Sequence, residues 1–496
     1  MSKKKKNIKE LLEEALVPKD EQRFHTPVNW VWTWTGTVAE VRSGGTPKST
    51  AKEYYEDGTI PWITPADLSK YQSMYISKGN RNITLLGLNK SSAKMLPVDT
   101  VLLSSRAPIG YVAIAAEELC TNQGFKSFVP SNAYYPKYLY WYLKASKLYL
   151  ESMASGSTFK ELSGVKCRKI PVPLPPMNEQ KRIVKKVERL LNKIEEAKQL
   201  IDDAKETFEF RRAAILDKAF RGELSAQWRE DNFVVEDAFS LLERIQTKKR
   251  NSSIKSNTLK INSVTKEEEP FDLPKGWVWI RLGEISYYVT SGSRDWSKYY
   301  SSEGAMFIRT QDINKNSLNL DDIAFVSLPE KVEGKRSLVE KSDILTTITG
   351  ANVGKCALVE TDIKEAYVSQ SVALTKLIEK SIAKYVHLSL LSPCGGGKEL
   401  EKRAYGIGRP VLSLEDIKNI KIPLAPIGEQ QFIVNMVEKL LTNETESLRL
   451  ASMEKQLEIL KQSILNKAFR GELGTNDLNE ESSLGLLKEI LQEKIK

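Results

Sequence analysis

At 496 residues the chain is too long for a single ordinary core, and its length predicts roughly two to four domains of about 100 to 200 residues each. A 41% hydrophobic and 28% charged composition is that of a globular protein; no apolar run nears the roughly 18 residues of a membrane span and no apolar stretch follows Lys3 to Lys6, which predicts a cytoplasmic chain with no membrane partner. A net charge of +10 favours a polyanionic partner, because cations set against phosphates release condensed counterions.

In chain order, Ile8 to Leu16 (IKELLEEAL) reads as an amphipathic helix within an N-terminal segment, 1–22. Residues 23–170 read as a globular domain. Short β-rich runs such as Gly58 to Thr64 (GTIPWIT) and Thr100 to Ser104 (TVLLS) are punctuated by Gly and Pro, whereas Pro136 to Ser146 (PKYLYWYLKAS) has helical spacing, so an α+β class follows. Residues 171–245 hold a long helix that starts behind Pro175 and Pro176 and stops at Gly222. Within it Ile183, Val187, Leu190, Ile194, Ala197, Ile201, Ala204 and Phe208 alternate steps of four and three, the spacing of a coiled-coil seam. About 44 residues at about 1.5 Å each predict a rod of roughly 65 Å, which cannot bury its stripe alone.

A polar linker is expected over 246–270, with Asn251, Ser252, Ser253, Ser256 and Asn257 among lysines, followed by a second α+β domain at 271–421. The second long helix, 422–473, carries Ile433, Val437 and Leu440 on its seam. Glu444 and Ser447 interrupt the seam, and Leu450, Met453, Leu457, Leu460 and Ile464 resume it. A C-terminal helix, 474–496, completes the chain.

The second half repeats the first. Ile170 to Gln180 (IPVPLPPMNEQ) returns as Ile420 to Gln430 (IKIPLAPIGEQ), and Asp217 to Leu224 (DKAFRGEL) returns as Asn466 to Leu473 (NKAFRGEL). Looser matches precede each helix: Pro27 to Trp32 with Pro274 to Trp279, Thr64 to Leu68 with Thr310 to Ile313, and Asp99 to Gly110 with Asp343 to Gly354. Self-similarity of this length predicts two similar α+β domains separated by two long helices packed as an antiparallel coiled coil, a pseudo-two-fold repeat. Val235 to Ile245 after the first helix matches Ser483 to Ile490 after the second, so Ile8 to Leu16 is expected beside Leu486 to Ile495.

Few residues suggest chemistry. His25 and His387 are the only histidines, which excludes a His-rich metal centre, and Cys120, Cys167, Cys356 and Cys394 form no CxxC pair and read as reduced thiols. Gly350 to Cys356 (GANVGKC) has one residue too few for a phosphate loop and Cys where the magnesium-binding hydroxyl belongs, so it reads as a glycine turn. Asp67 and Asp312 occupy matching positions and read as turn or cap carboxylates rather than as acid and base. The tryptophans, Trp62 and Trp141 among them, read as core. No catalytic, cofactor-binding or metal site is expected on this chain.

Together these features resemble the specificity subunit of type I restriction-modification enzymes over nearly the whole chain. The likeness rests on the duplicated domain-plus-helix layout, Trp30 and Trp277, the turn Gly44 to Pro47, the strings Ser104 to Gly110 (SSRAPIG) and Gly156 to Gly164 (GSTFKELSG), the Glu-Gln helix starts and both AFRGEL ends. The second copy departs at Ser291 to Arg294 and at Tyr405 to Pro410 (YGIGRP). The resemblance implies two target-recognition domains, each reading a half-site of double-stranded DNA, and helices on which two methyltransferase subunits dock. Translocating restriction subunits would join in the full complex, with S-adenosylmethionine, ATP and Mg held by those partners. Direct readout requires Arg, Lys, Asn or Gln at base edges or phosphates. The candidates are Thr46, Lys48, Arg106, Asn122, Gln123 and Lys126 in the first domain and Arg294, Lys298, Arg309, Gln311, Lys355 and Gln370 in the second. The competing readings are a scaffold without DNA specificity, which leaves two basic globular domains unexplained, and a self-contained nuclease or methyltransferase, which requires a motif this sequence lacks.

Overall fold

The structure, a computed structural model, describes residues 7–106, 108–156, 160–232, 236–251, 262–330, 334–406, 408–441 and 444–493. Eight of its helices frame the two halves of the repeat: α1 (Ile8–Ala15), α2 (Pro136–Ala145), α3 (Met177–Phe220), α4 (Ala238–Asn251), α5 (Ala383–Leu391), α6 (Ile427–Leu441), α7 (Glu444–Phe469) and α8 (Ser483–Glu493). The chain divides into two compact units, one built from 1–201 with 451–496 and the other from 202–450. Residues of α3 and of α7 are thus shared between the two units, whereas α6 lies wholly in the second. Among the described residues no helix is long and apolar enough to cross a membrane.

In the first unit, strands Glu40–Ser43, Phe125–Val129, Val101–Ser104, Val112–Ala115 and Tyr75–Ile76 form one sheet in that order, and Arg81–Ile83, Ile60–Ile63 and Cys120–Thr121 form another. The second unit repeats the plan. Ser286–Ser291, Val372–Leu377, Ile344–Thr347 and Cys356–Leu358 make one sheet, and Tyr300–Ser301, Ala324–Val326, Ala305–Ile308 and Ala366–Val368 the other. Each unit closes with a two-stranded ribbon, Val31 opposite Leu174 in one and Val278 opposite Leu424 in the other. Prolines 171, 173 and 423 are tolerated there because a two-stranded ribbon is all edge and spares the amide that Pro lacks.

The repeated AFRGEL phrase has a packing reason. Its Ala and Phe are buried (Ala219, Phe220, Ala468 and Phe469), and its glycines adopt φ +75° at Gly222 and Gly471. Glu223 N donates to Lys218 O and Glu472 N to Lys467 O, both at 2.9 Å, a left-handed helix stop that only glycine makes without strain. Phe469 packs edge-on against Tyr138 and Tyr142 at 5.4 and 5.2 Å, and Phe220 against Tyr385 at 5.1 Å. Those tyrosines donate in turn to the ribbon carbonyls of Pro173, Pro171 and Pro423. The phrase thus bolts the end of each long helix to the globular part of its unit.

Within each unit the start of one long helix meets the end of the other, as an antiparallel pair requires. Ile183, Val184 and Val187 share a core with Leu465, Ala468 and Phe469 in the first unit; Leu216, Ala219 and Phe220 share one with Ile433, Val434 and Val437 in the second. On the expected seam Ile194, Ile201 and Ile464 are buried, Leu190 and Leu457 half-buried, while Met453 and Leu460 are about half exposed. Leu440 does not belong to it: it is exposed, and Leu441 is buried in its place. In α6 the apolar row advances by four at each step, 433, 437, 441, so a strict four-three alternation loses phase with a helix of 3.6 residues per turn. The side chains of Glu444 and Ser447 lie outside the described residues.

The expected meeting of the termini is present in the first unit, where Ile8, Leu11 and Leu12 of α1 pack on the core that holds Leu487, Ile490 and Leu491 of α8. Ala238, Leu241, Leu242 and Ile245 of α4 occupy the corresponding core of the second unit. The predicted polar linker is shorter at its start than expected, because α4 continues to Asn251. Residues 252–261 lie outside the described set.

Candidate nucleic-acid interface

At one end of the larger sheet of the first unit, three chain segments converge. Gly45 N donates to Thr121 O, Gly44 N to Phe125 O, and Ser105 N to Gly124 O, so segments 44–48, 104–106 and 121–125 lie side by side. Ser155, Glu161 and Leu162 join them, with Leu162 N donating to Ser105 O and Glu161 bridged by its backbone to both Arg106 and Ser155. Glycine is needed at the first contact, since a Cβ on Gly44 would lie 2.0 Å from Asn122 O. The second unit builds the same cluster. Gly292 N donates to Ser369 O, Ile348 N to Ser371 O and Leu412 N to Ile348 O, and a Cβ on Gly292 would lie 1.8 Å from Val368 O. The Ser291 to Arg294 segment therefore keeps the glycine that matters in the Gly-Gly-Thr-Pro turn it replaces.

The candidates distribute unevenly over these clusters. Thr46, Lys48 and Gln123 are exposed, and Arg106 is exposed with its Nε 3.1 Å from Glu161. Asn122 is half-buried and spends its Oδ1 accepting from Gly124 N. Lys126 is a correction: it lies on the strand Phe125–Val129, is buried, and points its Nζ at Glu161, 3.9 Å away. In the second unit Arg294, Gln311 and Gln370 are exposed, and Lys298 is exposed with its ammonium 5.0 Å over the Tyr299 ring. Arg309 grips Asp312 with two nitrogens at 3.0 Å and donates to Asp322 O, which fixes the turn at 310–312. Lys355 lines a cleft of 370 Å³ with Glu209, Arg212, Lys315 and Lys398. Ala107, residues 157–159 and Ile407, within the SSRAPIG, GSTFKELSG and YGIGRP strings, lie outside the described residues.

The matching aspartates are caps. Asp67 accepts from Thr64 N and Oγ1 at 2.7 Å and from Asn80 N at 2.9 Å, and Asp312 accepts from Arg309 N at 2.7 Å. In the glycine turn at 350–355, the amides of Gly350, Val353, Gly354 and Lys355 donate to protein carbonyls, leaving little of a phosphate cradle. Burial pushes the thiols of Cys120, Cys167, Cys356 and Cys394 up to about 12, far from the range of a nucleophile. His387 is fully buried and pushed down to about 3. Trp62 is buried, donating to Gly45 O, and Trp141 is half-buried. Among the described residues no group of His, Cys, Asp and Glu could hold a metal ion.

Sequence reasoning named the Glu-Gln helix starts without foreseeing their use. Glu429 has no exposed surface and accepts from Ser225 Oγ at 2.6 Å, Arg229 Nη1 at 2.5 Å and Trp277 Nε1 at 2.8 Å. Glu179 is equally buried and accepts from Arg182 and from Thr475 Oγ1, both at 2.7 Å. In each unit, then, one carboxylate ties the start of one long helix to the segment that follows the other. The only sequence signal was the repeat itself.

A duplicated α+β unit with antiparallel long helices and a loop cluster of exposed polar side chains is the architecture of a DNA specificity subunit. The family model of the type I restriction modification DNA specificity domain matches residues 27–206 and again 274–455, and the chain belongs to that family. It is 30% identical, over 91% of its length and 95% of the relative's, to the type I restriction enzyme MjaIX specificity subunit of Methanocaldococcus jannaschii. It is 26% identical, over 94% and 92%, to the type I restriction enzyme EcoBI specificity subunit of Escherichia coli. A solved chain from work on complex assembly and conformational transition of the type I R-M system superposes over 91% of this chain and all of that one with a TM-score of 0.61; at 19% identity this is a likeness of fold.

Proposed function

We propose that this chain catalyses nothing itself and tells partner subunits where on DNA to act. Each globular domain reads one half of a bipartite, asymmetric site, and the long helices set the unspecified gap and carry two methyltransferase subunits. Restriction subunits join in the full complex, in the cytoplasm. S-adenosylmethionine, ATP and Mg belong to those partners. The observation that carries this reading is the loop cluster built twice on the same scaffold with different side chains, Thr46, Lys48, Arg106 and Gln123 in one unit against Arg294 and Gln370 in the other. Constant scaffold with divergent tips is what two readers of different half-sites require. Exposed Leu200, Phe210 and Ile459 on the long helices supply apolar surface suited to helical partners.

The test is single-molecule sequencing of genomic methylation in cells expressing the chain with its methyltransferase partner, against cells lacking the chain. A bipartite motif with a fixed gap, present only with the chain, is expected. Its absence despite assembly would favour the scaffold reading.

A further inference from the structure

In the first unit the Arg106 guanidinium is buttressed from behind. Glu161 meets it through Nε, the inner nitrogen, at 3.1 Å, and the side chain of Arg106 keeps 46% of its surface in solvent. Glu161 comes closest to the inner nitrogen and pairs with the guanidinium as a counter-charge, and the two terminal amino groups of an arginine are the donor pair that matches the O6 and N7 acceptors of guanine in the major groove. The buttress is itself fixed. Glu161 N donates to Ser155 O and Ser155 N to Glu161 O, its neighbour Leu162 is bonded to Ser105, and Lys126, buried behind the pair, supplies a second cation 3.9 Å from the same carboxylate. The backbone bridges fix where the Glu161 side chain starts, and the two cations on either side of its carboxylate favour the rotamer that meets Arg106.

The second unit lacks this device. Val411 takes the place of Glu161, bridged to Tyr405 and Thr349 as Glu161 is to Ser155 and Arg106. An aliphatic chain and a threonine hydroxyl stand where the first unit has an ion pair.

We infer that Arg106 reads a guanine in the half-site bound by the first domain, and that Glu161 is its positioning residue, acting through the guanidinium without touching DNA. The inference rests on the proposed specificity role. It assigns a base class to one domain and denies the same contact to the other.

The experiment is the same genomic methylation assay, run on the wild-type chain and on Arg106→Ala, Arg106→Lys, Glu161→Ala and Glu161→Gln, scoring base preference at every motif position. Wild type should require a G·C pair at one fixed position of one half-site. Arg106→Ala and Arg106→Lys should each lower discrimination at that position by roughly 5- to 150-fold, the worth of one bidentate pair, and leave the other half-site unchanged as an internal control for folding. Glu161→Ala should relax the same position and no other, adding nothing to Arg106→Ala in the double variant, while Glu161→Gln, which keeps an acceptor, should relax it less. Uniformly reduced methylation with an unaltered motif in Arg106→Lys or Glu161→Gln would overturn the inference and make Arg106 a phosphate contact. Relaxation at different positions by the Arg106 and Glu161 variants would overturn the positioning role. A wild-type chain that directs no bipartite motif would overturn the specificity reading and this inference with it.

Discussion

Glu429→Leu keeps the volume of the side chain and removes the carboxylate that accepts from three donors at once. Trp277 Nε1 loses its acceptor, the fully buried Ser225 hydroxyl keeps only a long bond to Gly222 O at 3.4 Å, and Arg229 loses its counter-charge. Breaking a buried ion pair by deleting one partner costs about 3 to 5 kcal/mol. Arg229 keeps its bonds to Gly222 O at 2.8 Å and Ser225 Oγ at 2.9 Å, and its side chain is 22% exposed, which places the loss near the lower end, about 3 kcal/mol. The assay is hydrogen exchange followed by mass spectrometry on the full chain, because a two-unit protein does not yield one unfolding free energy. At about 1.4 kcal/mol per factor of ten, peptides from 222–229 and from α6 should exchange about 150-fold faster, while peptides from 31–129 stay as in wild type. Trp277→Phe, which deletes one hydrogen bond to a charged group, should cost about 1.5 to 3 kcal/mol. An acceleration below about fivefold in Glu429→Leu, some 1 kcal/mol, would refute the claim that this carboxylate fastens the helix start to the segment after the first long helix.

Three further outcomes are expected from the structure. His387 is buried neutral with its proton affinity pushed down to about 3, so the unfolded chain takes up a proton that the folded one refuses; stability is intact above about pH 6.5 and falls as pH drops toward 3. At pH 5 that amounts to about 2 kcal/mol, and α5 peptides of His387→Gln should lose correspondingly less protection between pH 7 and 5 in the same exchange measurement, corrected for the intrinsic rate. Ile433→Ala, in the second core, should cost about 2 to 5 kcal/mol, whereas Leu440→Lys, on the exposed flank of the same helix, should stay within about 0.5 kcal/mol in the same exchange measurement. Neutralising exposed Lys48 should lower affinity for all duplexes alike and reduce the slope of log K against log salt by about 0.9 if it meets a phosphate, as fluorescence anisotropy of the assembled methyltransferase would report.

Periodicity and repetition carry their meaning in one dimension, and what depends on them was legible in the chain. The doubled AFRGEL phrase, the prolyl starts and the spacing of Ile183, Val187 and Ile194 determined two like α+β units and paired long helices, because a stripe of apolar side chains must be covered whatever the details. Asp67 and Asp312 were legible as caps for the same reason, since a cap is settled by its neighbours three residues away. Charge pairs and polar contacts between distant segments were not legible. Whether a lysine faces water depends on which strand lies beside it, which buried Lys126 against Glu161; the 3.6-residue turn of a real helix brought Leu441, not Leu440, inward. Glu161 was not singled out as a site residue, because the arginine it pairs with lies 55 residues away along the chain. Glu179 and Glu429 were legible only as parts of the repeated helix start, since their donors stand up to 296 residues away. The sequence by itself determined the scaffold, through local and periodic rules; only the tertiary structure decided which charges are spent holding that scaffold and which stay at its surface, because charge pairing is set by distance in space and not along the chain.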